Sequence, residues 1–124
     1  MKQHRLDFIT INEYETGIIE AIVDDGEDIG AEKLLLFIEF LNNLPSQPSA
    51  LLIDRINNYS MGFSAFTVLG KNKVIKMIAV VNHGKRNQII STDLWPKFLN
   101  IAFFNDRDSA IHWLNNRLAF SALK

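Results

Sequence analysis

The chain has 124 residues, of which 48% are hydrophobic and 22% charged, enough for one domain with its own core. A formal net charge of -1, with no long block of lysines and arginines, weighs against nucleic-acid binding. Because the sequence has no cysteine, it excludes disulfides, thiolate nucleophiles and cysteine-ligated zinc.

The apolar segments are short. The start of the chain lacks the apolar stretch of a secretory signal, and runs such as 34–38 fall far below the roughly 18 residues that span a bilayer. We therefore expect a cytoplasmic protein without a transmembrane segment. No linker, repeat or low-complexity segment divides the chain, so residues 1–124 are predicted to form a single domain.

The N-terminal part predicts a hairpin followed by a helix. Residues 6–11 and 16–23 are apolar segments separated by a polar stretch, a spacing typical of two antiparallel strands. Asp7 and Glu20 interrupt the apolar pattern, which favours a position at the edge of a sheet. Residues 31–44 repeat apolar side chains at helical spacing and end before a proline, so they predict the first helix.

The remaining chain alternates between strands and helices. Residues 50–53 and 74–81 are nearly continuous apolar runs, typical of strands covered on both faces. A short helix is predicted over 60–70, and weak helical character extends over 85–96. A last strand at 100–104 precedes a helix that Asn105 can cap. The order predicts an α/β domain with a mixed, mostly parallel sheet, an N-terminal antiparallel hairpin and about four helices.

A resemblance to a known family rests on two motifs. The run LLIDRINNYSMGFSAFTVLG, residues 51–70, and the later FFNDRDSAIHWL, residues 103–114, resemble the small bacterial SpoIIAA-like family. That family belongs to the STAS superfamily and is similar in shape to the CRAL-TRIO lipid-transfer domains. The resemblance covers about residues 6–119 and implies a single STAS-like domain over the whole chain.

The resemblance also implies a site. Antagonist STAS domains carry an aspartate at a strand end, followed by a phosphorylatable serine that opens a helix. Asp54 and Ser60 match these two positions, which makes Ser60 a possible phosphorylation site. The sequence departs from the antagonist pattern where small residues are expected, at Asn57, Asn58, Tyr59 and Phe63.

Physical reasoning favours the same surface. Ligands of open α/β sheets bind beyond the carboxyl ends of parallel strands, where loops and helix N-termini converge. The candidate binding or partner surface consists of Asp54, Arg55, Asn57, Asn58, Tyr59, Ser60, His83, Lys85, Arg86 and Arg107. The four cations of this set could pair with an anionic head group or with a partner's carboxylates. We expect the strand tips to bring Asp54, Ser60 and His83 into a shared hollow.

Each of these candidate site residues also has a simpler, structural explanation. Ser60 fits an ordinary N-cap, and Asp54 with Arg55 fits a strand-end ion pair. The acidic loop 24–28 lacks the ligand spacing of an EF-hand, and the histidines form no metal-binding motif. We find no GxSxG elbow, P-loop or GxGxxG. We therefore predict no catalytic residues, no metal and no cofactor.

The first predicted helix carries more apolar side chains than one sheet face needs, namely Leu35, Leu36 and Phe40. Further apolar surface comes from Trp95, Phe98 and Phe120. Burial within the monomer, a homodimer interface and a lipid-accommodating groove all remain open for this surplus.

Two functional hypotheses follow. The first is a non-enzymatic STAS-like regulatory or protein-interaction module, with a character similar to an anti-sigma-factor antagonist. The second is a binding domain for an apolar or anionic small molecule or a lipid, similar to CRAL-TRIO proteins.

Overall fold

A computed structural model describes residues 1–72, 74–75, 77–84 and 100–122. The strands of this part are β1 (Lys2–Leu6), β2 (Ile9–Glu13), β3 (Ile18–Val23), β4 (Asp28–Ile29), β5 (Ala50–Asp54), β6 (Ser60–Met61), β7 (Met77–Val81) and β8 (Asn100–Phe104). The helices are α1 (Ala31–Asn42), α2 (Phe63–Lys71) and α3 (Arg107–Ala122).

Six strands form one mixed sheet in the order β1-β2-β3-β5-β7-β8. The pairs β1·β2 and β2·β3 are antiparallel, whereas β3·β5, β5·β7 and β7·β8 are parallel. β4 and β6 form a separate two-stranded parallel ladder. The predicted α/β class with a mixed sheet is therefore confirmed. The helix expected over 85–96 lies outside the described residues, as do Lys85, Arg86, Trp95, Phe98 and the side chain of Phe120.

The N-terminal antiparallel part has three strands where the sequence predicted two. The expected strand 6–11 spans the turn that joins β1 to β2, with Leu6 opposite Ile9. Phe8 lies in that turn, but its ring packs into the core. Because this residue is apolar, the sequence pattern gave no sign that the strand ends there. The edge prediction was wrong for Glu20, because β3 is the third strand of the sheet and β1 forms the edge.

The first helix agrees with its predicted apolar stripe. α1 buries Leu34, Phe37, Ile38 and Leu41 against the sheet, as the helical spacing indicated. α2 begins three positions later than predicted, because Ser60 and its neighbour pair with β4 before the helix starts. The capping prediction for Ser60 was therefore wrong.

The cap of the last helix differs by one residue from the prediction. Asp106, rather than Asn105, caps α3: its Oδ1 accepts a 2.8 Å hydrogen bond from the Ser109 backbone N–H, and its Oδ2 accepts one of 2.9 Å from the Ser109 hydroxyl. An aspartate at this position satisfies a free N–H group of the first helical turn.

The helices lie in two layers around the sheet. α1 and α2 pack on one face with the larger core cluster, which includes Leu41, Leu51 and Leu69. α3 packs on the opposite face over β5, β7 and β8 through Ala110 and Leu114. None of the helices in the described part of the chain is long and apolar enough to cross a membrane.

Candidate functional site

The carboxyl ends of the parallel strands meet at one edge of the sheet. Asp54 at the end of β5 pairs in register with Val81 at the end of β7, and Val81 pairs with Phe104 of β8. His83 follows in the next turn, and its Nε2 lies 2.5 Å from Asp54 Oδ1. The strand tips thus bring Asp54 and His83 together, as the parallel order predicts.

Ser60 lies on the other side of this edge. Side chains alternate along β5, so Asp54 shares the face of Leu52, which packs beneath α3. Met61 beside Ser60 and Ile29 of β4 pack into the core under α1 and α2. The structure therefore joins Asp54 and His83 in one place and positions Ser60 in another.

A buried polar cluster surrounds Asp54. Glu20 of β3 is only 3% exposed and accepts hydrogen bonds from Arg107 Nε at 2.7 Å, Tyr14 Oη at 2.7 Å and Asn12 Nδ2 at 3.0 Å. Arg107 Nη2 also donates a 2.9 Å bond to the Tyr14 hydroxyl oxygen. We define the polar cluster as Asn12, Tyr14, Glu20, Asp54, His83 and Arg107.

Charge within the polar cluster is unevenly distributed. Burial raises the pKa of Glu20, but the hydrogen bonds from Arg107, Asn12 and Tyr14 outweigh it and lower the pKa to about 2. Asp54 behaves in the opposite way: burial raises its pKa, proximity to Glu20 adds to the rise, and His83 only partly offsets both. The pKa of one carboxyl group is thus lowered while that of its neighbour is raised.

The sequence missed half of this cluster. Of its members, Asp54, His83 and Arg107 were candidate site residues, whereas Glu20 was interpreted as an edge residue and Asn12 and Tyr14 as parts of a turn region. A signal was present at Glu20, since a single acid inside the apolar run 18–23 must be paired if that strand is buried on both faces. Arg107, its partner, is 87 positions away, so no local pattern connects the two.

The loop after β5 is bound to the loop after β3. Asn57 Nδ2 donates to the Val23 carbonyl at 2.9 Å, and the Asn58 backbone N–H donates to Asp25 Oδ1 at 2.9 Å. The Asn58 carbonyl in turn accepts a 2.7 Å bond from Gly26 N. Asn57 and Asn58 therefore hold two loops together in this structure.

Ser60 is exposed at the end of this loop pair. Its hydroxyl donates a 2.7 Å hydrogen bond to Asp28 Oδ1, and its backbone N–H donates to the Glu27 carbonyl at 3.0 Å. Two of the most exposed large apolar side chains in the described chain are nearby in sequence, Ile56 at 50% and Phe63 at 69%. An exposed hydroxyl is thus bonded to the exposed Asp28 carboxylate, in a stretch of chain that also exposes two large apolar side chains.

Two of the four cations expected to hold an anion, Arg55 and Arg107, have partners within the protein, and the other two lie outside the described residues. Arg55 is 5% exposed, with its guanidinium 4.9 Å from the centre of the Tyr59 ring and Nη2 3.4 Å from the Tyr59 carbonyl oxygen. Burial is the main cause that raises the pKa of the Tyr59 hydroxyl. Arg107 is paired with Glu20. Arg55 is thus enclosed by the fold, whereas the Arg107 side chain is paired with Glu20 but remains partly accessible.

The surplus apolar side chains of α1 have two different environments. Phe40 packs against the core and contacts the His4 ring edge to face at 5.0 Å, whereas Leu35 and Leu36 are exposed. Leu36 and Phe40 line an open groove of about 760 Å³ between α1 and the β1–β2 turn. A separate cavity under α1, lined by apolar side chains and Tyr59, measures only about 40 Å³.

Among the described residues, no group of three or more His, Asp or Glu side chains is arranged to hold a metal ion. Compared with protein-family models, with curated proteins and with solved structures, the chain matches none. The function must therefore be argued from the site alone.

Proposed function

We propose that the chain is a non-enzymatic, STAS-like regulatory module that binds a protein partner at the surface around Ser60, and that phosphorylation of Ser60 controls this binding. The observation that carries the proposal is the Ser60 hydroxyl, which is exposed and bonded to Asp28 in a stretch of chain that also exposes the side chains of Ile56 and Phe63.

The composition of this surface suits protein binding. An exposed aromatic ring is the kind of side chain that contributes most to the free energy of protein–protein association when a partner covers it. Asp25 and Asp28 are exposed carboxylates at its margin, so a partner that offers basic side chains around an apolar centre would complement it.

Phosphorylation would alter this surface strongly. A phosphoserine adds about -1.5 to -2 charges at neutral pH, directly beside the Asp28 carboxylate. The repulsion would break the Ser60–Asp28 bond and weaken the ladder between β4 and β6, which immediately precede α1 and α2. The modification would therefore change both the charge and the shape of the docking surface.

The experiment is affinity capture from an extract of the source cells, followed by quantitative mass spectrometry. Phe63→Ala and Ser60→Asp should each deplete the specific partner by about tenfold or more, the effect of losing about 1.4 kcal/mol. Leu36→Ala is the matched control, because Leu36 is similarly exposed but lines the groove at α1. An identical set of captured proteins for all four forms would contradict the proposal.

A second candidate is a small-molecule or lipid-binding domain, as in CRAL-TRIO proteins. The groove at α1 favours it, because about 760 Å³ lies within the size range of ligand pockets and Phe8, Leu36 and Phe40 supply apolar lining. Its two cations, Arg5 and Lys33, are already paired with Asp24 and Glu27, which reduces the attraction for an anionic head group. The support is therefore weaker than that for a protein partner.

Native mass spectrometry of the purified protein, with extraction of lipids, tests this second candidate. A retained acyl compound that Leu36→Glu abolishes, while Phe63→Ala leaves it bound, would favour the groove. No retained ligand and no thermal shift on adding acyl compounds would exclude it.

A further inference from the structure

An open groove runs along one side of α1, opposite the edge strand β1 and the turn that follows it. On the helix its lining recurs at intervals of three or four positions, and so occupies one face, at Lys33, Leu36, Phe40 and Asn43. At a rise of about 1.5 Å per residue, this stripe is about 15 Å long. An extended chain rises about 3.3 Å per residue, so roughly four or five of its residues match the groove in length.

The opposite wall of the groove is a strand with unused backbone groups. In the described part of the chain, β1 pairs with β2 alone. In an antiparallel pair, every second residue bonds to the neighbouring strand, so the N–H and C=O groups of the other residues point away from it. β1 has five residues, and Lys2, Gln3 and Arg5 are exposed. A short extended chain can therefore add to this edge by main-chain hydrogen bonds.

Apolar side chains lie where those of an added strand would point. On the α1 side of β1, the His4 ring contacts Phe40 edge to face at 5.0 Å, and Leu6 packs against the core. Successive side chains of a strand point to opposite faces, so every second side chain of an added strand would enter the groove. Leu36 is 55% exposed at this place, so a partner side chain there would cover it.

The charges of the groove favour a basic occupant. Its two cations, Arg5 and Lys33, already form ion pairs with carboxylates of this chain. Asp7 and Glu39 also line the groove, are exposed, and form no ion pair with any residue that the structure describes. These two carboxylates attract a lysine or arginine side chain and repel an anionic head group. A hydrocarbon chain, moreover, cannot use the backbone donors and acceptors of β1.

A second copy of the chain is less suited to this edge than a partner of different sequence. Pairing of two β1 strands would place Lys2 and Arg5 of both copies on one short ladder. Like charges that oppose each other across strands are destabilising, and lysine on an edge strand discourages pairing between identical edges.

We propose that the groove between α1 and β1 binds an extended segment of a partner protein, which adds to the free edge of β1. Its apolar side chains, at alternate positions, lie beside Leu36 and Phe40, and a basic side chain lies near Asp7 and Glu39. This surface does not depend on the one around Ser60. A lipid in the same groove is the competing occupant.

The test is selection from a random heptapeptide library, displayed on phage, against the intact chain, with Leu36→Glu for counter-selection. We expect the enriched peptides to carry apolar residues at every second position and at least one lysine or arginine. An enriched peptide should also slow hydrogen exchange of backbone amides in β1, as measured by NMR. A ligand held by side chains alone would leave those amides unchanged.

Matched variants separate the groove from its surroundings. Leu36→Glu should weaken binding of the enriched peptide by about tenfold or more, because it places a charge where an apolar side chain packs. Leu35→Glu is the control, since Leu35 is similarly exposed but is not part of the groove lining. Glu39→Lys should weaken binding several-fold, and more so at low salt. Phe63→Ala, which alters the surface around Ser60, should leave the affinity unchanged.

Three outcomes would overturn the proposal. They are equal losses of affinity for Leu35→Glu and Leu36→Glu, binding that leaves the β1 amides unprotected, and a library without enriched peptides. A retained acyl compound that is abolished by Leu36→Glu, in a chain that selects no peptide, would assign the groove to a lipid instead.

Discussion

Arg107 Nε donates a 2.7 Å hydrogen bond to Glu20 Oε2 and so joins the first turn of α3 to β3, across 87 positions of the chain. Glu20 is buried, while the Arg107 side chain remains partly accessible. The pair fixes the N-terminal end of α3 over a face of the sheet that carries polar side chains, where apolar packing cannot do so.

Removing the cation should leave Glu20 charged and uncompensated. We expect Arg107→Met to lower the free energy of unfolding by about 1–3 kcal/mol, the usual cost of leaving a buried hydrogen-bonding group without its partner. Arg117→Met is the control, since Arg117 is exposed and contacts only the Trp113 ring within the described chain, and should cost less than ~1 kcal/mol. Urea unfolding measures both, and equal losses would contradict a special role for Arg107.

The same pair predicts a dependence on acid. The pKa of Glu20 is lowered to about 2 in the folded protein, so the folded state binds fewer protons than the unfolded chain. Stability from Glu20 is thus fully present above its ordinary pKa of 4.5 and is lost as the pH falls toward 2. We expect Glu20→Gln to be less stable than the wild type at pH 6 but to show a smaller loss between pH 5 and pH 2. Parallel stability curves for the two proteins would be inconsistent with this assignment.

The fold could be predicted from local patterns wherever burial alone determines them. The stripe of α1 indicates a helix because its solvent side and core side differ, and the continuous apolar runs of β5 and β7 indicate strands that are covered on both faces. β1 and β6 could not be found in this way. β1 is a polar edge strand, and Ser60–Met61 pairs with residues about 30 positions earlier, so tertiary contacts rather than local propensity form both.

The caps provide a direct comparison. Asp106→Ala should cost about 1 kcal/mol, because its carboxylate satisfies the Ser109 N–H in the first turn of α3. Ser60→Ala should cost only about 0.5 kcal/mol or less, since Ser60 caps no helix and loses one exposed bond to Asp28. Thermal unfolding at neutral pH distinguishes the two. If Ser60→Ala lowers the free energy of unfolding as much as Asp106→Ala does, Ser60 is mainly a structural residue.

Gly17 is a glycine at which an added side chain would be strained. Its φ is +90°, and an added Cβ would lie 2.9 Å from Ser49 Oγ. Gly17→Ala should therefore destabilise by more than the roughly 1–2 kcal/mol that a left-handed conformation costs. Gly30→Ala is the matched control, with ordinary backbone and open space around it, and should be nearly neutral. Similar midpoints of unfolding for both variants would contradict the geometry.

Leu114 anchors α3 to the sheet. Leu114→Ala should cost about 2–5 kcal/mol, because the side chain is fully buried and its removal leaves a cavity. Leu36→Ala, at an exposed position of α1, should change stability by less than ~0.5 kcal/mol. Denaturant unfolding compares them, and a small effect at Leu114 would mean that α3 packs loosely.

The candidate site was harder to predict than the fold. Strand order alone placed Asp54 beside His83, because both follow parallel strands that pair directly. The separation of Ser60 from them depends on the pairing of β6 with β4 and on the bonds between segments 24–29 and 55–61. Such pairings between two irregular segments have no periodic signature in sequence.

The order of the main sheet follows the order of the chain, so each strand is added beside the one synthesised before it. During translation each new strand of this sheet can therefore pair with the strand that was synthesised before it, and no earlier pairing has to open. Among the described elements, the last helix is the one that packs over Leu52, Ala79 and Val81, so it covers this face after the sheet strands have been synthesised. A nascent chain that has released β8 but not α3 therefore lacks the helix that packs over these apolar side chains.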